Sequence, residues 1–258
     1  MVSTSQSSPY VGFLVTCLVD LFRPHVGFAA IQLLQQAGCR VAVPCQQTCC
    51  GQPAYNNGDL KQSRAIAQQV IQAFAPFDYI VAPSGSCVGM LKYHYPQLFA
   101  QDAYWLAQAQ SCAARCYELV SFLTEVCSLE QLEAQFPHRV TYHDACSGLR
   151  ELGIHAQPRQ LLNQVEGLVL TELVEADVCC GFGGTFCVKY PEISTRMVND
   201  KIKHIQETQA EVVLAGDMGC LLNIAGRLRR LNSTVKAYHV AEVLANQASQ
   251  VPAIGEPS

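Results

Sequence analysis

With 258 residues, half of them apolar, the chain has enough material for one large buried core or two small ones. Its 14 cysteines are therefore not the staples of a short, core-poor secreted scaffold. A net charge of −4 with only 17 Lys plus Arg gives no basic footprint for nucleic acid or anionic lipid.

The residues before Tyr10 carry no basic run, and the apolar stretch 11–19 is too short to cross a bilayer before Asp20 ends it. A cytoplasmic protein without a transmembrane segment, its thiols kept reduced, is the expectation. Short runs rich in Val, Ile, Tyr and Phe alternate with longer amphipathic stretches, the pattern of βαβ units and a mostly parallel sheet. A strand is expected over 11–16, ending at Cys17. A helix follows over 26–37, with Phe28, Ile31, Leu33 and Leu34 at helical spacing and Gly38 as its stop. A strand over 40–44 leads to the loop of Cys49 and Cys50, then helix 60–74 and strand 79–82 lead to Cys87. The second half repeats the plan: strand 140–143, Cys146, helix 159–165, strand 168–173, Cys179 and Cys180, helix 193–208, strand 212–215 and Cys220. Segments 116–123 and 237–244 read as matching closing helices, 97–110 as an insertion without a partner, and the last nine residues as a loose tail. The fold class is α/β: two pseudo-repeated, mostly parallel-sheet, Rossmann-like halves, 10–130 and 138–247. Their cysteine loops fall at the carboxyl ends of strands, the edge where such sheets bind ligands.

The repeat is sharpest in the cysteines. Cys-Cys-Gly occurs at 49–51 and again at 179–181, each with one cysteine well before and one well after. Cys17, Cys49, Cys50 and Cys87 map onto Cys146, Cys179, Cys180 and Cys220 with offsets of 129, 130, 130 and 133. Four thiolates suit a soft or borderline cation or an iron–sulfur cluster, because sulfur donates electron density that carboxylates do not. Adjacent cysteines chelate one ion poorly but can bind two irons of one cluster. The chain also lacks the paired C-x-x-C knuckles usual for zinc. Glycine after each pair lets the loop turn sharply, with amide N–H groups free to bond to sulfur. Buried packing is the competing explanation for any single cysteine, and it is preferred for Cys39, Cys45, Cys112, Cys116, Cys127 and Cys187. Cys187 lies close enough to the second glycine-rich loop to approach that site.

Other polar residues share these loops. His143 and Asp144 are weak catalytic candidates, with satisfaction of strand-end backbone groups as the equal alternative. Asp217, Tyr55 and Asn56 are pocket candidates, and Arg23, Arg150 and Lys189 are candidate counter-charges. No G-x-G-x-x-G follows a strand and no P-loop is present, so a hydride acceptor is not identifiable from this sequence.

The strings Thr16-Cys17-Leu18-Val19-Asp20, Cys49-Cys50-Gly51-Gln52-Pro53-Ala54-Tyr55-Asn56, Pro83-Ser84-Gly85-Ser86-Cys87 and Cys179-Cys180-Gly181-Phe182-Gly183-Gly184-Thr185-Phe186 resemble the lactate utilization protein A family. With 216–228 added, the likeness runs from about residue 11 to about residue 246. That family sits among the cysteine-rich CCG-domain proteins that include the cysteine-rich component of heterodisulfide reductase and the iron–sulfur components of glycolate oxidation. The resemblance implies a subunit of a cytoplasmic complex oxidising L-lactate to pyruvate, beside lactate utilization protein B-like and C-like partners. It also implies one iron–sulfur cluster, of the [4Fe-4S] type, per cysteine set. Glycolate or another small 2-hydroxy acid remains an alternative substrate, and disulfide reduction and a zinc-thiolate scaffold are alternative roles. Where that heterodisulfide reductase component carries a fifth cysteine in each set, this sequence has Met90 and Asn223. The departure argues for electron relay rather than disulfide cleavage.

Overall fold

The alternation of β-rich runs and amphipathic helices folds as two all-parallel sheets of the same topology. The computed structural model describes residues 8–129 and 131–256. Strands β1 (Tyr10–Phe13), β2 (Arg40–Ala42), β3 (Tyr79–Ala82) and β4 (Cys116–Glu118) form a sheet in the order β2-β1-β3-β4. Strands β5 (Arg139–Tyr142), β6 (Val169–Leu170), β7 (Val212–Ala215) and β8 (Lys236–His239) repeat it as β6-β5-β7-β8. The central registers correspond: Val11 pairs with Tyr79 in one sheet, and Val140 with Val212 in the other. The offset seen in the cysteines is therefore the offset of the framework that carries them.

The halves do not keep separate cores. Helix Pro24–Gln36 of the first half buries Val26, Ala29, Ala30, Leu33 and Leu34, and packs on helix Val240–Leu244 of the second. One apolar cluster runs from Phe13 and Leu33 through Val140 and Leu214 to Leu244, while a smaller one around Leu14, Val70, Phe74 and Tyr95 fills the other face of the first sheet. Inside the shared cluster, Arg23 Nε donates to Glu242 Oε1 at 2.7 Å, an ion pair that ties the halves together.

Four expectations are corrected. Segments 116–123 and 237–244 are not helices throughout; each is a strand followed by a helix. Pairing with β3 and β7 captures their first residues, and a side chain then divides strand from helix. Glu118 Oε2 accepts from the backbone N–H groups of Val120 and Ser121, and His239 Nδ1 accepts from that of Ala241. The expected loose tail is docked over its described part: Ala253 and Ile254 are buried, and the Ile254 N–H donates to the Ala237 carbonyl. Residues 257 and 258 lie outside the described residues. Finally, Cys17, Cys87, Cys146 and Cys220 lie in first helical turns rather than in loops. The insertion is visible: helix Met218–Arg230 is continuous, whereas its counterpart breaks into Gly85–Gly89, a π-helical turn at Met90–His94, Tyr95–Leu98 and a separate helix Ala103–Ala114. Among the described residues, no helix is long and apolar enough to cross a membrane.

Candidate metal centres

Each sheet delivers its four cysteines to one point at its carboxyl edge. Behind β1 comes helix Cys17–Phe22, behind β2 the Cys49–Cys50 loop, and behind β3 helix Gly85–Gly89 with Cys87. Cys17 Sγ lies 3.6 Å from Cys49 Sγ, and Cys49, Cys50 and Cys87 continue the chain of sulfur contacts. Cys146, Cys179, Cys180 and Cys220 form the same chain behind β5, β6 and β7. In both sets the second cysteine of the pair and the last cysteine are buried, and the other two are half-buried. Both glycines of the repeated tripeptide sit at positive φ, 86° at Gly51 and 82° at Gly181, and each donates its N–H to the sulfur two residues back at 3.4 Å. Only glycine adopts that backbone without strain.

The protonation of these thiols is mutually frustrated. Cys49 is pulled down to about 3 by the thiols of Cys17 and Cys50 that donate to it; Cys17 is pushed up by that same bond and then by burial, and Cys50 by its bonds with Cys49 and Cys87 and then by burial. In the second set, donation from Cys146 and Cys180 pulls Cys179 down. Four converged sulfurs, two buried and two half-buried, form a donor set suited to a soft metal centre. An iron–sulfur cluster fits it, because each thiolate would be neutralised by iron.

Two buried polar residues stand beside the second site. His143, fully buried at the end of β5, lies with Cys180 and Cys220 so that one donor atom from each falls within 4.8 Å of the others. Neither of its ring nitrogens has a hydrogen-bond partner. Lys201, also fully buried, directs Nζ to the Glu175 carbonyl at 2.7 Å. It occupies an apolar position of helix Pro191–Glu207, in series with Val198, Ile202 and Ile205. Asp144 is committed elsewhere, since both its oxygens accept from Arg159 at 2.8 Å.

The two sites adjoin. Asp217, the N-cap of helix Met218–Arg230, accepts from the hydroxyls of Ser84 and Ser86 at 2.9 and 2.8 Å, and Ser84 is itself the N-cap of helix Gly85–Gly89. Gly85 packs so closely on Gly148 of helix Cys146–Leu152 that a Cβ would lie 2.8 Å from its Cα. The first set opens into a cavity of about 180 Å³ and the second into one of about 220 Å³; Gln52, Ser86, Phe182, Gly184 and Asp217 line both. A wider cavity of about 700 Å³ lies at the opposite, amino edge of the second sheet, far from any of these cysteines.

Two side chains whose role no local pattern reveals hold the paired cysteines. Tyr95 Oη donates to the Cys50 carbonyl and Asn223 Nδ2 to the Cys180 carbonyl, each at 2.9 Å. Asn223 is thus a backbone clamp, and Met90 is buried in the apolar core. Arg23 is spent on Glu242, Arg150 donates to the Asp177 carbonyl, and Lys189 is exposed. Tyr55 stacks near His94, and Asn56 lines the second cavity. The remaining cysteines stay outside the sites: Cys39 meets Cys127 at 3.7 Å, Cys112 meets Cys116 at 3.9 Å, Cys45 is exposed, and Cys187 faces the Gly184 carbonyl.

The model of the cysteine-rich domain CCG matches residues 11–92 and 140–225, one copy per sheet. Lactate utilization protein A of Geobacillus kaustophilus is 49% identical over 91% of this chain and 98% of its own length. Lactate utilization protein A 2 of Bacillus cereus strain Q1 is 45% identical over 93% and 99%. This chain belongs to the lactate utilization protein A family. The sequence match extends through both sheets. A solved structure, of a hypothetical protein from Helicobacter pylori, superposes with a TM-score of 0.66 at 9% identity and shares the fold. The match covers 98% of this chain, which spans about half (50%) of that protein.

Proposed function

We infer that this chain is an iron–sulfur subunit of a cytoplasmic oxidoreductase complex that converts L-lactate to pyruvate, and that its part is electron relay. The observation that carries the reading is the pair of converged four-thiol sets, one per half and adjoining, in a chain of this family. Lactate oxidation releases two electrons and two protons, and an iron–sulfur cluster supplies one-electron storage. Cys17, Cys49, Cys50 and Cys87 would hold one [4Fe-4S] cluster, and Cys146, Cys179, Cys180 and Cys220 the other. The amides of Gly51 and Gly181 and the helix N-termini at the first and last cysteine of each set oppose the accumulated negative charge. The Ser84–Asp217 contact fixes the wall between the sites. Asp144, locked to Arg159, positions the end of β5 rather than moving a proton. Met90 and Asn223, one in the core and one clamping a carbonyl, leave no fifth thiolate for disulfide chemistry.

Partners resembling lactate utilization proteins B and C would supply the remaining redox centres and the acceptor. L-lactate added anaerobically to the chain together with those partners should bleach the visible absorption of the clusters. Bleaching by glycolate but not by L-lactate would move the substrate to another 2-hydroxy acid, and a chain purified anaerobically without iron would end the reading.

A further inference from the structure

The two sites share a framework but not a lining. At the position corresponding to His143, one residue beyond the second sheet's central strand, the first half carries Leu14, one residue beyond β1 and packed in one apolar cluster with Cys50 and Cys87. Where the second half buries Lys201 in series with Val198, Ile202 and Ile205, the first buries Val70 in series with Ala67, Ile71 and Phe74. Both polar residues lie in the second half, where the first half has apolar ones.

His143 is anomalous as a core residue. It is fully buried, and both its nitrogens lack partners. A neutral imidazole presents one N–H and one lone pair. A thiolate or sulfide can take the N–H, but the lone pair needs a donor or a metal ion. The nearby ammonium of Lys201 donates to the Glu175 and Ala176 carbonyls and makes no hydrogen bond to either nitrogen. With Cys180 and Cys220, His143 offers three donor atoms within 4.8 Å of one another, a spread that sulfur and nitrogen ligands around one metal centre can occupy.

We propose that His143 is a metal ligand of the second site, a fifth protein ligand sharing one iron with a neighbouring thiolate, so that the first set is held by thiolates alone and the second by four thiolates plus one imidazole nitrogen. The proposal rests on reading the thiol sets as iron–sulfur sites. Its consequence is functional asymmetry: a neutral nitrogen donor and a buried ammonium both favour an added electron, so the second site fills before the first.

The test is pulsed electron paramagnetic resonance on anaerobically reduced full-length protein labelled with 15N only in histidine. Cys49→Ala removes a ligand of the first site and leaves the second; Cys179→Ala does the reverse. A strong 15N coupling is expected in Cys49→Ala and none in Cys179→Ala. In the Cys49→Ala background, His143→Leu, which installs the first half's residue, should abolish the coupling. In the same background His94→Gln, which removes the histidine that lines the second cavity, should leave it intact. If His143→Leu does not fold, the remaining three proteins still decide. A cluster signal in Cys49→Ala without histidine coupling overturns the ligand assignment and leaves the functional reading standing. Absence of any iron signal from the unsubstituted protein removes both.

Discussion

Gly51 and Gly181 occupy the same place in the repeat, yet replacing them with alanine should have unequal effects. Both carry left-handed φ values, 86° and 82°, so alanine costs roughly 1–2 kcal/mol of backbone strain at either position. The surroundings then separate them. A Cβ at Gly181 would sit 2.8 Å from the backbone oxygen of Ser194 and 3.0 Å from Met197 Cβ, both on helix Pro191–Glu207. That helix is also bound to the loop through Ser194 Oγ and the Gly181 carbonyl, 2.8 Å apart, so it cannot recede without breaking the contact. Overpacking of this kind adds about 1–3 kcal/mol. At Gly51 the nearest atom is Ile66 Cγ2 at 3.2 Å, the end of a side chain that can rotate away. Gly181→Ala should therefore cost about 2–5 kcal/mol and Gly51→Ala about 1–2 kcal/mol. Urea unfolding of the two variants beside the parent, with equal m values, measures the difference. Equal losses, or a larger loss for Gly51→Ala, would refute the account of how these loops are seated.

Arg23→Ala leaves Glu242 buried without its partner, and should destabilise the chain by about 3–5 kcal/mol, with both halves unfolding in one calorimetric transition. A first half that melts separately would contradict the shared core. Tyr95→Phe removes the donor to the Cys50 carbonyl at a cost of about 1 kcal/mol, and should lower iron occupancy of the first site while sparing the second. Equal occupancy loss at both would show the effect to be global. Burial pushes the Glu118 carboxyl up to about 8. The folded chain therefore holds a proton that the unfolded chain has released, and stability should fall as pH rises from about 4.5 towards 8. Glu118→Gln, neutral throughout, should flatten that slope; an unchanged pH profile of unfolding would rule Glu118 out as its source.

Much of this architecture was legible because the repeat is written twice. The offset of the cysteines, the βαβ rhythm and the glycine after each pair are local patterns, and each recurs in the structure, although the strands expected over 11–16 and 168–173 shrink to Tyr10–Phe13 and Val169–Leu170. Less legible was what one half does to the other. Nothing local marks Ser84 as a partner of Asp217, or Tyr95 as the clamp of Cys50, since both contacts join elements distant in sequence. The split of 116–118 and 236–239 from the helices behind them depends on pairing with a central strand, which a window over a short apolar run does not register. Lys201 did leave a signal: a lysine at a position whose helical neighbours Val198, Ile202 and Ile205 are all apolar. His143 was singled out by its loop, but its significance appeared only when Leu14 was seen to fill the matching place in the first half.

The central claim is that the two cysteine sets are two independent iron–sulfur sites. It is tested most directly by counting iron and sulfide in anaerobically prepared protein, before and after Cys50→Ala and Cys180→Ala. Two four-iron sites predict about eight iron and about eight sulfide per parent chain and about half of each in either variant. Zinc in place of iron, or loss of all iron from a single substitution, would contradict it.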